Sequence, residues 1–375
     1  MIQCKTFMEE LKGYGIDFFT GVPDSLLSSL SAYLLDYAPE NHIIAVNEGN
    51  AVGIAAGYHL ATGKIPVVYM QNSGIGNTVN PVASLLHRDV YQIPALFIVG
   101  WRGEPGVHDE PQHVFQGKVT IELLEDLDIK TEILSTDWME AAGQMKRAVA
   151  YMEQTGHPFA FVVHKGTFEA YPLKEKGNAT YPLTREKALE LICDAIPEDG
   201  VIVSTTGKMS RELFEIRERN GETHEKDFLT VGSMGHASSI ALGIARSTKR
   251  PVYCLDGDGA VLMHMGAMAI IGQSECQNYK HIVINNGCHE SVGGQPTVGF
   301  QIKIAEVAKA CGYKKVYNCQ TEEELKRALA EQRESKDIEL IQIYVNPSSR
   351  GDLGRPTISA IKNKENFMTY LAKDC

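Results

Sequence analysis

Val252-Tyr253-Cys254-Leu255-Asp256-Gly257-Asp258-Gly259-Ala260 is a short apolar strand that runs out through a Gly-Asp-Gly turn into a helix. The 25 residues from 260 to 284 then leave room for one helix and a parallel strand, His281-Ile282-Val283-Ile284, which delivers Asn285-Asn286. Two neighbouring strand ends therefore present a carboxylate and an amide side by side. A carboxylate and an amide oxygen form a hard oxygen set, suited to Mg²⁺ holding a phosphate. Gly257, Gly259 and Ala260 let backbone N–H groups approach that phosphate, and the helix after them offers its positive end. A surface Asn-Asn turn beside a pair of loop glycines is the alternative.

The same β-then-α scheme extends in both directions. Asp17–Thr20, His42–Ala45, Pro66–Met70, Ala95–Val99 and Phe159–Val163 are unalternating apolar runs, as are Gly200–Ser204 and Glu339–Val345. Such runs fit strands buried on both faces of a parallel sheet. Helix-like stretches such as 49–61 and 137–153 lie between them. The pattern predicts an α/β protein with two doubly wound parallel-sheet domains. At 375 residues the chain also exceeds the roughly 250–300 residues of a single core. The polar stretch 171–182, YPLKEKGNATYP, is the expected linker, so the domains are placed at 1–172 and 184–375. Ligands of such sheets bind beyond the carboxyl ends of the strands. Gly21, Glu48, Asn72, Gly100, Asp256 and Asn285 are expected there.

Composition narrows the function class. The chain is 43% hydrophobic and 22% charged, as in ordinary globular proteins. No apolar run approaches the roughly 20 residues of a membrane span, and Met1–Lys5 has no apolar signal core. The eight cysteines form no C-x-x-C pair and read as reduced thiols of a cytoplasmic protein. A net charge of −11 argues against nucleic acid and requires a local basic pocket for any anionic substrate.

Over nearly its whole length the sequence resembles the thiamine diphosphate-dependent 2-oxo acid decarboxylases. The resemblance implies thiamine diphosphate and Mg²⁺ as cofactors. It makes residues 1–172 a pyrimidine-binding domain and 184–375 a diphosphate- and metal-binding domain. Glu48, in Asn47-Glu48-Gly49-Asn50-Ala51, matches the glutamate that activates the aminopyrimidine; a helix-opening acid complementing the dipole is the alternative. Asp258 and Asn286 match the side-chain metal ligands, and Cys288 matches the position that offers a backbone carbonyl to the metal. In Gly232-Ser233-Met234-Gly235, Met234 matches the apolar wedge beneath the cofactor, with Gly232 and Ser233 beside it. Core packing is the alternative for this methionine. Asn72 and Thr205-Thr206-Gly207-Lys208 end strands and are expected to add cofactor contacts, principally through Asn72, Thr206 and Gly207. A helix cap at Thr206 is the alternative.

Members of that family typically carry a middle domain, which this chain replaces with about a dozen linker residues. The compact plan resembles the phosphonopyruvate and sulfopyruvate decarboxylases, as do 21–25 (GVPDS), 285–297 (NNGCHESVGGQPT) and 351–357 (GDLGRPT). Sulfopyruvate decarboxylases often divide the two domains between subunits, so one continuous chain favours phosphonopyruvate as substrate. The product would be phosphonoacetaldehyde, within phosphonate (2-aminoethylphosphonate) biosynthesis. A carboxylate plus a phosphonate calls for Arg, His or Lys. Arg88, Arg102, His108, His113, Arg350 and Arg355 lie in loop-like stretches, and Arg88, Arg102, His113 and Arg355 are expected to be the substrate-side ones. The segment 101–113 is expected to close over the site. Asp24 and His113 are expected as proton carriers, with Asp24 also touching substrate; an N-cap role is the alternative for Asp24. The resemblance further implies a homodimer or higher homo-oligomer with active sites at subunit interfaces. Sulfopyruvate or another 2-oxo acid as substrate, a non-catalytic cofactor-binding subunit and, from the fold alone, a nicotinamide dehydrogenase remain alternatives; Gly74-Ile75-Gly76 lacks the third glycine and ribose-binding acid of a dinucleotide loop.

Overall fold

The computed structural model describes residues 1–174 and 181–374. The expected linker therefore falls partly outside the described residues, as does Cys375. The chain forms two compact units, Met1–Lys176 with Val292–Gln295, and Gly177–Ser291 with Pro296–Cys375. The four-residue return of 292–295 to the first unit was not expected from the sequence.

In the first unit the order is α1 (Cys4–Gly13), β1 (Phe19–Gly21), α2 (Ser28–Tyr37), β2 (His42–Ile44), α3 (Glu48–Thr62) and β3 (Val67–Gln71). It continues through α4 (Ile75–Pro81), β4 (Leu96–Gly100), α5 (Pro111–Asp126), β5 (Lys130–Ile133), α6 (Trp138–Thr155) and β6 (Phe159–Val163). The strands pair in the order β2-β1-β3-β4-β6-β5, all parallel. Alternate residues feed two cores. Phe19, Tyr69, Ile98 and Phe161 face one side, and Val68, Phe97, Val99 and Val162 the other. Both faces are covered by helices, so these strands read as continuous apolar runs.

The second half of the chain holds α7 (Arg185–Ala195), β7 (Val201–Ser204), α8 (Lys208–Arg219), β8 (Asp227–Leu229), α9 (Ala237–Ala245), β9 (Val252–Gly257), α10 (Asp258–Met263) and α11 (Ala267–Gly272). It ends with β10 (Tyr279–Asn285), β11 (Cys288–His289), β12 (Gln295–Pro296), α12 (Ile304–Ala310), β13 (Lys315–Cys319), α13 (Glu322–Glu334), β14 (Glu339–Tyr344) and α14 (Ala360–Leu371). Its large sheet runs β13-β14-β10-β9-β7-β8, again parallel throughout. Tyr253, Leu255, Ile282 and Ile343 pack on one face, and Val203, Cys254, Val283 and Leu340 on the other.

Three strands of the two large sheets escaped the sequence reading, β5, β8 and β13, as did the short pair β11 and β12. β5, β8 and β13 lie at sheet edges, and β5 and β13 carry polar, largely exposed or half-buried residues, as in Lys130-Thr131-Glu132-Ile133. The strand order reverses direction between β1 and β3 in one sheet and between β7 and β9 in the other. At such a switch point the flanking loops diverge and leave a crevice beyond the strands' carboxyl ends.

Candidate active site

In the second unit that crevice is bordered by the loops after β7 and β9. β9 runs on to Gly257, and Asp258 is the first residue of α10. Its carboxylate is buried, and burial pushes its pKa up to about 6 against the pull of the Thr297 hydroxyl and nearby backbone N–H groups. Thr297 donates its hydroxyl to Oδ2, and the Asn286 N–H approaches Oδ1 at a long 3.4 Å. The paired asparagines divide their work. Asn285 is occupied by the loop itself: Nδ2 donates to Gly299 O at 2.7 Å and Oδ1 accepts the Gly287 N–H at 3.0 Å. Asn286 lies beside Asp258, with Oδ1 accepting the Cys288 N–H at 3.2 Å. A buried carboxylate held mainly by one hydroxyl, next to an amide oxygen, is a hard-oxygen set that a divalent cation would complete. Gly299 keeps the space clear, since a Cβ there would lie 2.5 Å from Asp258 Oδ2. The residues present therefore fit Mg²⁺ and the diphosphate it would carry.

The Gly-Asp-Gly turn meets Met234. A Cβ on Gly259 would lie 3.3 Å from Met234 Cε and 3.2 Å from the His289 ring. Met234 is half-buried and reaches this turn instead of the hydrophobic core. Its loop is bent sharply: Ser233 has φ 55 and Gly235 φ 84, and Gly232 precedes them. A Cβ on Gly235 would press on His264 and on Ala260 O at 3.0 Å, so the turn needs glycine twice over. At the end of β7, Thr206 makes no side-chain cap. Gly207 occupies the N-cap of α8 with φ 96 and ψ −143, a conformation open in practice to glycine alone. Burial pushes the Cys288 thiol up to about 12, so it stays a neutral thiol here. Deeper in the sheet, Cys254, Asp256 and His281 place ligand-type atoms within 4.8 Å of one another, but burial raises the Cys254 thiol well above its usual value.

In the first unit Asn47 caps α3 by accepting the Gly49 N–H, and Glu48 opens the helix with its side chain buried. Glu48 Oε2 accepts from Asn77 Nδ2 at 2.7 Å. Gly74 makes the position possible, because a Cβ there would lie 2.3 Å from Glu48 Oε1. The Gly74-Ile75-Gly76 stretch thus serves this carboxylate as a close-packed floor, with no dinucleotide loop to explain it. Asn77 was not singled out by the sequence, and its place six residues after β3, in the first turn of α4, was the available signal.

Asp24 follows β1 and is buried, with its Oδ2 accepting the Leu26 N–H at 2.9 Å and its Oδ1 unpartnered. Burial raises its pKa to about 6, partly offset by backbone N–H groups and the charge of Arg102. It does not cap α2, whose N-cap is Leu27. Gly100 permits the approach: a Cβ there would lie 2.2 Å from Asp24 Oδ2. Arg102 belongs to the same corner. It forks onto Asp109 through Nε at 2.8 Å and Nη2 at 2.5 Å, and its Nη1 reaches Ser25 Oγ at 3.0 Å. His113 is buried on α5 with Nδ1 unpartnered, and burial and the Arg102 charge lower its pKa.

Three expectations change. Arg88 is not at the strand carboxyl ends: it sits before β4 and pairs with Asp128, before β5, on the opposite edge of the sheet. Asn72 is occupied in structure, since Nδ2 donates to Arg102 O at 2.7 Å and Thr120 Oγ1 at 2.8 Å while Oδ1 accepts the Arg102 N–H. The segment 101–113 is stapled by Asp109 to Arg102 and the Gly103 N–H, and Trp101 donates to Gly117 O at 2.8 Å, so no hinge is evident in it. In the second unit Arg355 is exposed in the connection after β14, and Arg350 beside it pairs with Glu186, Glu215 and Asp352. His108 is exposed.

Comparison with known proteins matches both units. The family model described as the N-terminal TPP binding domain of thiamine pyrophosphate enzymes matches residues 4–124, and the C-terminal TPP binding domain matches residues 205–343. The chain is 35% identical to a phosphonopyruvate decarboxylase of Streptomyces viridochromogenes, covering 99% of this chain and 95% of that one. Identity to a phosphonopyruvate decarboxylase of Streptomyces hygroscopicus is 34%, over 99% and 94%. A sulfopyruvate decarboxylase of Methanosarcina acetivorans is 27% identical over 94% and 92%. That last relative spans both units in one chain, so continuity of the chain does not by itself separate the two substrates.

Proposed function

The chain belongs to the thiamine pyrophosphate-dependent decarboxylases, and from that membership we propose that it decarboxylates 3-phosphonopyruvate to phosphonoacetaldehyde and carbon dioxide in phosphonate biosynthesis. What supports this substrate is identity of 35% to a phosphonopyruvate decarboxylase over nearly the whole of both chains, against 27% to a sulfopyruvate decarboxylase. We assign the pyrimidine-binding role to residues 1–172 and the diphosphate role to 184–375.

When bound, thiamine diphosphate supplies a nucleophilic carbon and an electron sink for carbon dioxide loss, with Mg²⁺ tying its diphosphate to the protein. Asp258, Asn286 and the Cys288 carbonyl would hold the cation, and Gly257, Gly259 and Ala260 would offer backbone N–H groups to the phosphates. Met234, beside Gly259, would support the cofactor, with Gly232 and Ser233 shaping its loop and Thr206 and Gly207 adding contacts. Glu48 is the proton partner of the pyrimidine, and Asn77 fixes the direction of its carboxylate. Asp24 keeps a proton close to neutral pH because its carboxyl is buried, which suits it to protonate the product carbon. Arg102 and Arg355 provide the positive charge that the substrate's two anionic groups require, and the neutral His113 ring offers a hydrogen bond beside them.

Each active site is placed between two copies of the chain, which makes the working unit at least a homodimer. Among the described residues no helix is long and apolar enough to cross a membrane, and the seven described cysteines are free thiols, which supports a cytoplasmic enzyme. The deciding experiment is aldehyde formation with thiamine diphosphate and Mg²⁺, offering phosphonopyruvate, sulfopyruvate and pyruvate at equal concentration. Phosphonopyruvate is expected to react at least tenfold faster, about 1.4 kcal/mol of transition-state preference. A preference for sulfopyruvate would keep the chemistry and overturn the substrate.

A further inference from the structure

We infer that Glu290 is a positioning residue that fixes which end of the Asn286 amide faces the cation, and that Arg185 and Lys208 hold Glu290 to that task. The inference rests on the proposed reading of Asp258 and Asn286 as cation ligands. An asparagine amide has one end that can ligate a hard cation and one that cannot, and the two ends have nearly the same shape. Something must therefore forbid the flip. In this protein Asn286 Nδ2 donates to Glu290 Oε2 at 3.1 Å while Oδ1 accepts the Cys288 N–H at 3.2 Å. An ionised carboxylate only accepts hydrogen bonds. A flipped amide would set oxygen against oxygen on one side and N–H against N–H on the other.

The carboxylate is itself held from behind. Arg185 Nη1 reaches Glu290 Oε2 at 2.5 Å, and Lys208 Nζ reaches Oε1 at 3.1 Å. Arg185 is buried and forks onto Glu212 through Nε at 2.7 Å and Nη2 at 2.8 Å. Lys208 also bonds Ser349 Oγ at 2.6 Å. Two cations thus balance two carboxylates, and the group reaches the metal loop from α7 and α8. Arg185 and Lys208 approach the Glu290 carboxylate on its two oxygens, so both cations hold it in the geometry that accepts from Asn286. Outer groups that orient a ligand in this way commonly alter metal affinity by about 10–100-fold when removed.

Glu290→Gln tests this, because a glutamine can pair with either orientation of Asn286 by turning its own amide, accepting from Nδ2 or donating to Oδ1. Thiamine diphosphate binding is measured calorimetrically at stepped Mg²⁺ in the natural protein, in Glu290→Gln, in Asn286→Asp, in the double variant, and in Asp258→Ala. Glu290→Gln is expected to raise the Mg²⁺ concentration for half-maximal binding about tenfold or more when residue 286 is asparagine. With aspartate at 286 both ends are oxygen, so the same change no longer weakens binding. Equal weakening in both backgrounds, misfolding included, or no weakening with asparagine would overturn the inference. Unchanged binding in Asp258→Ala would instead overturn the underlying reading of the metal site.

Discussion

A β-carbon on Gly74 would lie 2.3 Å from Oε1 of Glu48, closer than any side chain tolerates, so this glycine is what lets the carboxylate lie against the turn after β3. The relationship joins two strand ends that flank β1 in the sheet, β2 through Glu48 and β3 through Gly74. Gly74 has φ −80, so alanine there would be conformationally acceptable and would act only by crowding. Gly74→Ala is expected to lower kcat at least about tenfold, the scale set by misplacing a reacting group by about 1 Å. Its melting temperature should stay close to that of the natural protein. Undiminished turnover in the folded variant would show that Glu48 has no fixed position to lose.

Glu48→Gln keeps an acceptor for Asn77 and removes the carboxylate. The expected result is a fall in kcat of about 10²–10⁴-fold, the usual contribution of a positioned proton partner. Thiamine diphosphate affinity should change little, because Glu48 lies apart from the diphosphate residues in sequence and chemistry. Calorimetric binding beside steady-state kinetics separates the two effects. A variant that binds poorly but turns over normally when saturated would reassign Glu48 to binding.

Asp24 makes stability depend on pH in a specific direction. Its pKa is raised from 3.8 to about 6 in the folded protein, so the folded state binds this proton more tightly than the unfolded chain does. Its favourable contribution is complete below about pH 4 and is lost as pH rises through 6, a loss of up to about 3 kcal/mol. Asp24→Asn is therefore expected to melt above the natural protein at pH 7.5, with the gap closing at pH 4. If Asp24 is also the proton donor, kcat of the natural enzyme falls as pH rises past about 6 and the variant shows no such limb. Melting curves at the two pH values and a pH–rate profile check both statements.

Gly299 stands to Asp258 as Gly74 does to Glu48. A Cβ on Gly299 would lie 2.5 Å from Asp258 Oδ2 and 2.8 Å from Asn285 Oδ1. Gly299→Ala should weaken Mg²⁺-dependent thiamine diphosphate binding at least tenfold, and Asp258→Ala should abolish it, as should a chelator acting on the natural protein. Equilibrium dialysis with and without Mg²⁺ measures all three. Full binding in the presence of chelator would remove the cation from the scheme.

The central strands, the two-unit plan and the Asp258–Asn286 pairing were legible in the amino-acid sequence by itself. Strands buried on both faces need no polar alternation, so β3, β4, β6, β9 and β10 announce themselves as apolar runs, and the glycines and acid beyond them are local in the chain. The edge strand β13 shows its side chains to water and carried no such mark. Only the tertiary structure decided which polar groups meet. It paired Arg102 with Asp109 and Ser25 near Asp24, sent Arg88 to Asp128 on the opposite edge, and linked Arg185, from 101 residues before Asn286, to that asparagine through Glu290. A sequence records the type of each side chain, whereas partner choice depends on which strand ends the crossovers bring together. The same burial that raises the charge penalty of Asp24 and Asp258 exists only once both sheets are covered.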